Sequence, residues 1–204
     1  MAEEGRYTVL VTGFGPFGDH KVNASWEAVK QLERLCANSK KLDDVKLVIT
    51  EIPVCYDTVS SLLPRLWKEH NPIVVLHVGV SRQADCLRIE YQAHSTGYDR
   101  LDVKNKTPDE TRIVPCVLQT NLDVKQICNA VNDNWKNNEC KACISHNAGR
   151  YLCEYTFYRS LSIEPSKVLF IHVPDFKNYS SSQTAQGLFD ILCCVIEMVR
   201  NDQQ

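Results

Sequence analysis

Tyr7-Thr8-Val9-Leu10-Val11-Thr12-Gly13 is a short run rich in β-branched residues that stops at a glycine, and Asn23-Ala24-Ser25-Trp26-Glu27-Ala28-Val29 after it reads as a capped helix. Together they form one strand-loop-helix unit. The alternation continues with a strand over Val45 to Glu51, a helix from Asp57 to His70, the apolar run Ile73-Val74-Val75-Leu76-His77-Val78-Gly79, and a strand around Leu87 to Tyr91. A helix over about Asp123 to Asp133 follows, then strand Ala142 to Ser145, helix Arg150 to Leu161, strand Lys167 to Val173, and an amphipathic helix from about Ser181 to Arg200. Strands alternating with helices predict an α/β fold, an open α/β/α sandwich with a largely parallel twisted sheet covered on both faces. Residues 95–119 are polar and weakly periodic, with Gly97, Pro108 and Pro115, and read as a long irregular extension around that sheet.

At 204 residues with 44% apolar content, the chain is long enough to bury a continuous core. No linker tract or internal repeat interrupts it, so a single domain over residues 1–204 is expected. The 23 basic and 25 acidic residues leave a net charge of -2, and neither sign gathers into a block. That argues against nucleic acid and anionic lipid and favours a small, roughly neutral partner. The segment Met1-Ala2-Glu3-Glu4-Gly5-Arg6 lacks an apolar signal core, and no apolar run reaches the roughly 18 to 20 residues that span a bilayer. No membrane association is expected, and the cytoplasm is the expected location.

Ten cysteines in a chain of this size read as thiols rather than as a disulfide framework. Cys140 and Cys143 form a C-x-x-C, but no second such pair completes a zinc site, so a structural role is expected. Cys193 and Cys194 lie within an apolar helical pattern and read as core filler.

Three polar or reactive features follow strands: Gly13 to Phe17, His146 to Cys153, and His172. In open α/β sheets ligands bind beyond the carboxyl ends of the strands, which makes these the candidate site. Cys153 falls in the first turn of a helix, where unpaired N–H groups and the helix dipole stabilise a thiolate and can serve as an oxyanion hole. A single thiol is more often an inert core residue, and a strand-end histidine is more often structural. In combination, His172 becomes a general base for Cys153, and Glu90, at the end of Leu87-Arg88-Ile89-Glu90, becomes the carboxylate that orients its ring. Thr12-Gly13-Phe14-Gly15-Pro16-Phe17-Gly18 lacks the spacing of a phosphate loop. Its two phenylalanines suggest a small apolar slot with backbone groups available for hydrogen bonding.

That loop, together with Asn23-Ala24-Ser25-Trp26, Ile52-Pro53-Val54-Cys55-Tyr56, Ala148-Gly149-Arg150-Tyr151-Leu152-Cys153 and Phe170-Ile171-His172-Val173-Pro174, resembles the pyroglutamyl-peptidase I family, cysteine peptidase family C15, in its animal more than its bacterial forms. The resemblance implies a phosphorylase/hydrolase-like sandwich and a catalytic set of Glu90, Cys153 and His172. It also implies that Phe14 and Phe17 pack on a lactam ring with Asn23 nearby, that short peptides with an N-terminal pyroglutamate are the substrates, and that no metal or cofactor takes part. Such a slot would accept an acyl group without a charged amine and disfavour a free N-terminus through its desolvation cost. Val80 and Ser81 stand where bacterial members carry other residues, Glu154 replaces an asparagine, and Arg100 is a candidate for an arginine that supports the oxyanion. A thiol amidase of different acyl specificity, or a catalytically silent peptide binder, is compatible with the same residues.

Overall fold

The computed structural model of the protein describes residues 7–18, 21–108, 115–134 and 140–201. Met1 to Arg6 and part of the 95–119 extension, residues 109–114, lie outside the described residues. In chain order the elements are β1 (Tyr7–Phe14), α1 (Ala24–Ala37), β2 (Val45–Ile52), α2 (Tyr56–His70), β3 (Val74–Val80), β4 (Leu87–Glu90) and β5 (Gln92–His94). Then come β6 (Val117–Gln119), α3 (Val124–Asp133), β7 (Ala142–Ser145), α4 (Leu152–Leu161), β8 (Val168–Val173) and α5 (Ser181–Asn201). The main sheet has the strand order β2-β1-β3-β8-β4-β7, and β5 pairs with β6 in a separate two-stranded ribbon.

Alternate strand residues feed two cores. Val9, Val11, Leu76, Val78, Leu169 and Ile171 face α1, α3 and α5. Leu10, Phe14, Val75, Val168 and Phe170 face α2 and α4. Residues buried on both sides account for the near-continuous apolar reading of β3 and β8.

The sheet is largely parallel, as expected, with one antiparallel pairing, β4 on β8. The cause is loop length. Only Ser81 to Cys86 separates β3 from β4, and a parallel crossover needs about a dozen residues or more. The chain must therefore turn back, and β7, joined to β4 through α3, runs the same reversed way. The extension is partly ordered: β5–β6 braces it, and Asp102 ties its middle to α2. The thiols of the C-x-x-C diverge, Cys140 meeting Gln183 O at 2.9 Å and Cys143 lying 3.1 Å from Cys86.

A polar thread crosses the second core. His77 Nδ1 lies 2.7 Å from Thr12 Oγ1 and Nε2 lies 2.7 Å from Ser160 Oγ, which also accepts from Trp67 Nε1 at 3.2 Å. It joins β1, β3, α2 and α4. Burial pushes the His77 imidazole down to about 3 from 6.5, so it stays neutral. Its contribution to stability is complete above pH 6.5 and is lost as pH falls toward about 3. We expect His77→Phe, which removes the partner of Thr12 Oγ1 and one of the two partners of Ser160 Oγ, to lower unfolding stability in urea at neutral pH by about 2 kcal/mol, and to show a shallower loss between those pH values than the wild type.

Candidate active site

The reversed direction of β4 puts its side chains against the end of β8. Arg88 pairs with His172 and Glu90 with Phe170. Paired residues share a sheet face, so Glu90 and His172 meet diagonally on the α2/α4 side. Glu90 Oε1 lies 2.7 Å from His172 Nδ1, with Glu90 fully buried and His172 7% exposed. The other oxygen, Oε2, meets no donor among the described residues. With Nδ1 directed at Glu90, Nε2 is left for Cys153, with which the ring shares a hydrogen bond. Burial alone would lower the His172 pKa, but the Cys153 sulfur and then Glu90 outweigh it and push it up to about 9. The arrangement favours an imidazolium beside the Cys153 sulfur.

Cys153 reaches this point from the reversed strand β7, not from a carboxyl edge of the parallel set as the sequence suggested. Ser145 pairs with Glu90, and the chain then turns back over the sheet through Gly149 (φ 92°) and Arg150 (φ 52°) into α4. A positive φ is unusual for arginine. Here Glu154 holds it, accepting the Arg150 backbone N–H and guanidinium Nη1 at 2.8 Å each and His94 Nδ1 at 2.8 Å. Glu154 is fully buried and directed at this cluster. The helix N-cap, Tyr151, makes no side-chain capping bond, so first-turn N–H groups remain available to a ligand. Beneath the thiol lies Gly79. A Cβ there would sit 2.7 Å from Cys153 Sγ and 2.8 Å from Phe170 Cζ, so only glycine leaves room.

A cleft of about 940 Å³ opens over these residues. Phe14, Phe17 and Asn23 line one wall. Phe14 is 3% exposed and belongs to the second core. Asn23 caps α1 through Ser25 N (3.0 Å) and donates to Gly15 O (2.9 Å), so its amide shapes the phenylalanine loop from behind. Val80, Ser81 and Arg100 also line the cleft, with the Arg100 guanidinium 4.2 Å above the Tyr151 ring.

Three contributors escaped the sequence reading. Gly79 was read only as a strand end. Arg88 becomes visible as a cleft residue only once β4 is reversed. Asp102 sits in the extension, where it accepts Tyr56 N (3.0 Å), Lys104 N (2.8 Å) and Lys106 N (3.1 Å). It is thus the cap that Cys55, the N-cap of α2, does not supply. Burial would raise its pKa, but those backbone donors together hold it below the usual carboxylate value. No local pattern announces a cap from a distant segment.

Comparison with known proteins identifies the family. The family model for pyroglutamyl peptidase, Peptidase_C15, matches residues 7–198. Pyroglutamyl-peptidase 1 of Homo sapiens is 38% identical over 205 residues, covering 98% of this chain and 95% of the relative. A pyrrolidone-carboxylate peptidase of Pseudomonas fluorescens is 32% identical over 81% of this chain and 78% of its own. Among solved structures, a mutant pyrrolidone carboxyl peptidase of Pyrococcus furiosus superposes with a TM-score of 0.82 at 25% identity, covering 94% of this chain and 99% of that one. With a family match over nearly the whole chain and animal relatives more similar than bacterial ones, the chain belongs to the pyroglutamyl peptidase family.

Proposed function

We propose that the protein is a cysteine exopeptidase that hydrolyses the amide bond after an N-terminal pyroglutamate of short peptides, with Cys153 as nucleophile, His172 as proton carrier and Glu90 as its orienting carboxylate. The observation that carries these roles is the buried 2.7 Å bond from His172 to Glu90 on the floor of the cleft, with Cys153 on the ring's other side.

The Cys153 thiolate attacks the pyroglutamyl carbonyl carbon, and the oxyanion is received by first-turn N–H groups of α4. As the tetrahedral species collapses, the C–N bond breaks and the imidazolium of His172 protonates the leaving amine. Water then attacks the thioester, giving its proton to His172. The C–S bond breaks, pyroglutamate leaves, and the thiolate–imidazolium pair is restored. Phe14 and Phe17 form the slot for the lactam ring, shaped by Asn23. All ten cysteines are free thiols, which suits a reducing compartment, and we place the activity in the cytoplasm. No described helix is long and apolar enough to cross a membrane. The chain is taken to work as one domain on small peptides.

Three outcomes test these roles. A fluorescent amine should be released from its pyroglutamyl amide under reducing conditions, and Cys153→Ala should abolish release; a folded wild type without activity would remove the assignment. The rate constant kcat/KM should fall at high pH as His172 loses its proton near 9. Glu90→Gln, which removes one of the groups raising that value, should move the limb to lower pH and cut kcat/KM by about a hundredfold or more. Gly79→Ala pushes the thiol from its place, so kcat should drop by about a hundredfold while KM changes far less; equal effects on both would argue against this seat for the nucleophile.

A further inference from the structure

The cleft is asymmetric along the sheet. Phe14 ends β1, and the row then passes through Gly79 on β3 and His172 on β8 to Arg88 on β4. These residues share the α2/α4 face, and strands lie about 4.8 Å apart, so Phe14 and Arg88 stand roughly 14 Å apart on opposite sides of the reacting thiol. With the acyl group over the phenylalanines and its carbonyl above Gly79, the leaving peptide must extend toward β4.

That half of the cleft is cationic. Arg88 lines it, whereas Arg100 lines the cleft beside the start of α2, beyond β2, where its carbonyl accepts from Tyr56 Oη. Arg88 donates Nη2 to Gln83 O at 2.5 Å, and Arg100 stacks on Tyr151 at 4.2 Å. Among the described residues neither has a carboxylate within ion-pair distance. The two acids lining the cleft are engaged elsewhere, Glu90 with His172 and Asp102 with three backbone N–H groups. A guanidinium in a concave wall sets a positive field and offers forked donors matched to a carboxylate.

We propose that the leaving-group side of the site selects a carboxylate, supplied either by an acidic residue directly after pyroglutamate or by the C-terminus of a very short peptide, with Arg88 as the specificity-determining residue. This rests on the acyl assignment above.

The test is kcat/KM at low and high salt for four substrates: pyroglutamyl-alanine amide, pyroglutamyl-glutamate amide, pyroglutamyl-lysine amide, and pyroglutamyl-alanine with a free carboxylate. At low salt the glutamate amide, the free acid, or both should exceed the neutral amide by roughly three- to tenfold and the lysine amide should fall below it, with the differences shrinking at high salt. A gain confined to the glutamate amide names the side chain as the source, and one confined to the free acid names the terminus. Arg88→Gln should reduce the gain, and Arg88→Lys should retain part of it. Cleavage of the neutral amide with no dependence on substrate charge would overturn this inference and leave the acyl assignment standing. Cleavage of none of the four would overturn both.

Discussion

The bond between Glu90 and His172 sets the terms for the rest of the molecule. A carboxylate removed from water costs several kcal/mol unless it is paired, and here one oxygen has the imidazole while the other has no donor among the described residues. The charge is therefore directed through a single contact, and that contact exists only because β4 runs against β8. Had β4 been parallel, Glu90 and the ring would not share this register. The short turn from Ser81 to Cys86 is thus as much a part of the chemistry as the side chains it delivers.

Around that pair, the walls are held by bonds that link distant parts of the chain. Asp102 caps a helix that begins 46 residues earlier, and Tyr56 Oη donates to Arg100 O at 3.1 Å. Tyr56 also packs edge-on against Tyr98, Tyr151 and Tyr155. Glu154 fixes the entry to the nucleophile's helix in the same manner. These groups satisfy backbone donors while leaving the first turn of α4 open. Stability is invested beside the site so that the site itself can stay unsatisfied.

Although the three-residue strands β5 and β6 are too short to show a pattern, the strands of the main sheet and its helices could be read from periodicity, because each carries its own within a few residues. The same was true of Cys153, His172 and Glu90, whose positions at element ends mark them out. The direction of β4 was also present in the sequence, as a connection too short for a crossover, but the alternation of strands and helices obscured it. What no local pattern conveys is the partner of a side chain across space. Glu154 beside the thiol faces Arg150 and His94, and Asn23, legible as the cap of α1, also lines the cleft. Asp102 and Gly79 depend on who their neighbours are, which only the folded chain determines.

Gly79 carries one more implication. With backbone packed directly beneath the sulfur and α4 alongside it, the lone pair that attacks can project only upward into the cleft. On the proposed roles, a planar scissile carbonyl above Gly79, its lactam in the phenylalanine slot and its oxygen toward the helix, presents just one of its two faces to that lone pair. The tetrahedral carbon formed is consequently of a single handedness. The stereochemistry of a fleeting intermediate is in this way written into the one residue of the site that has no side chain.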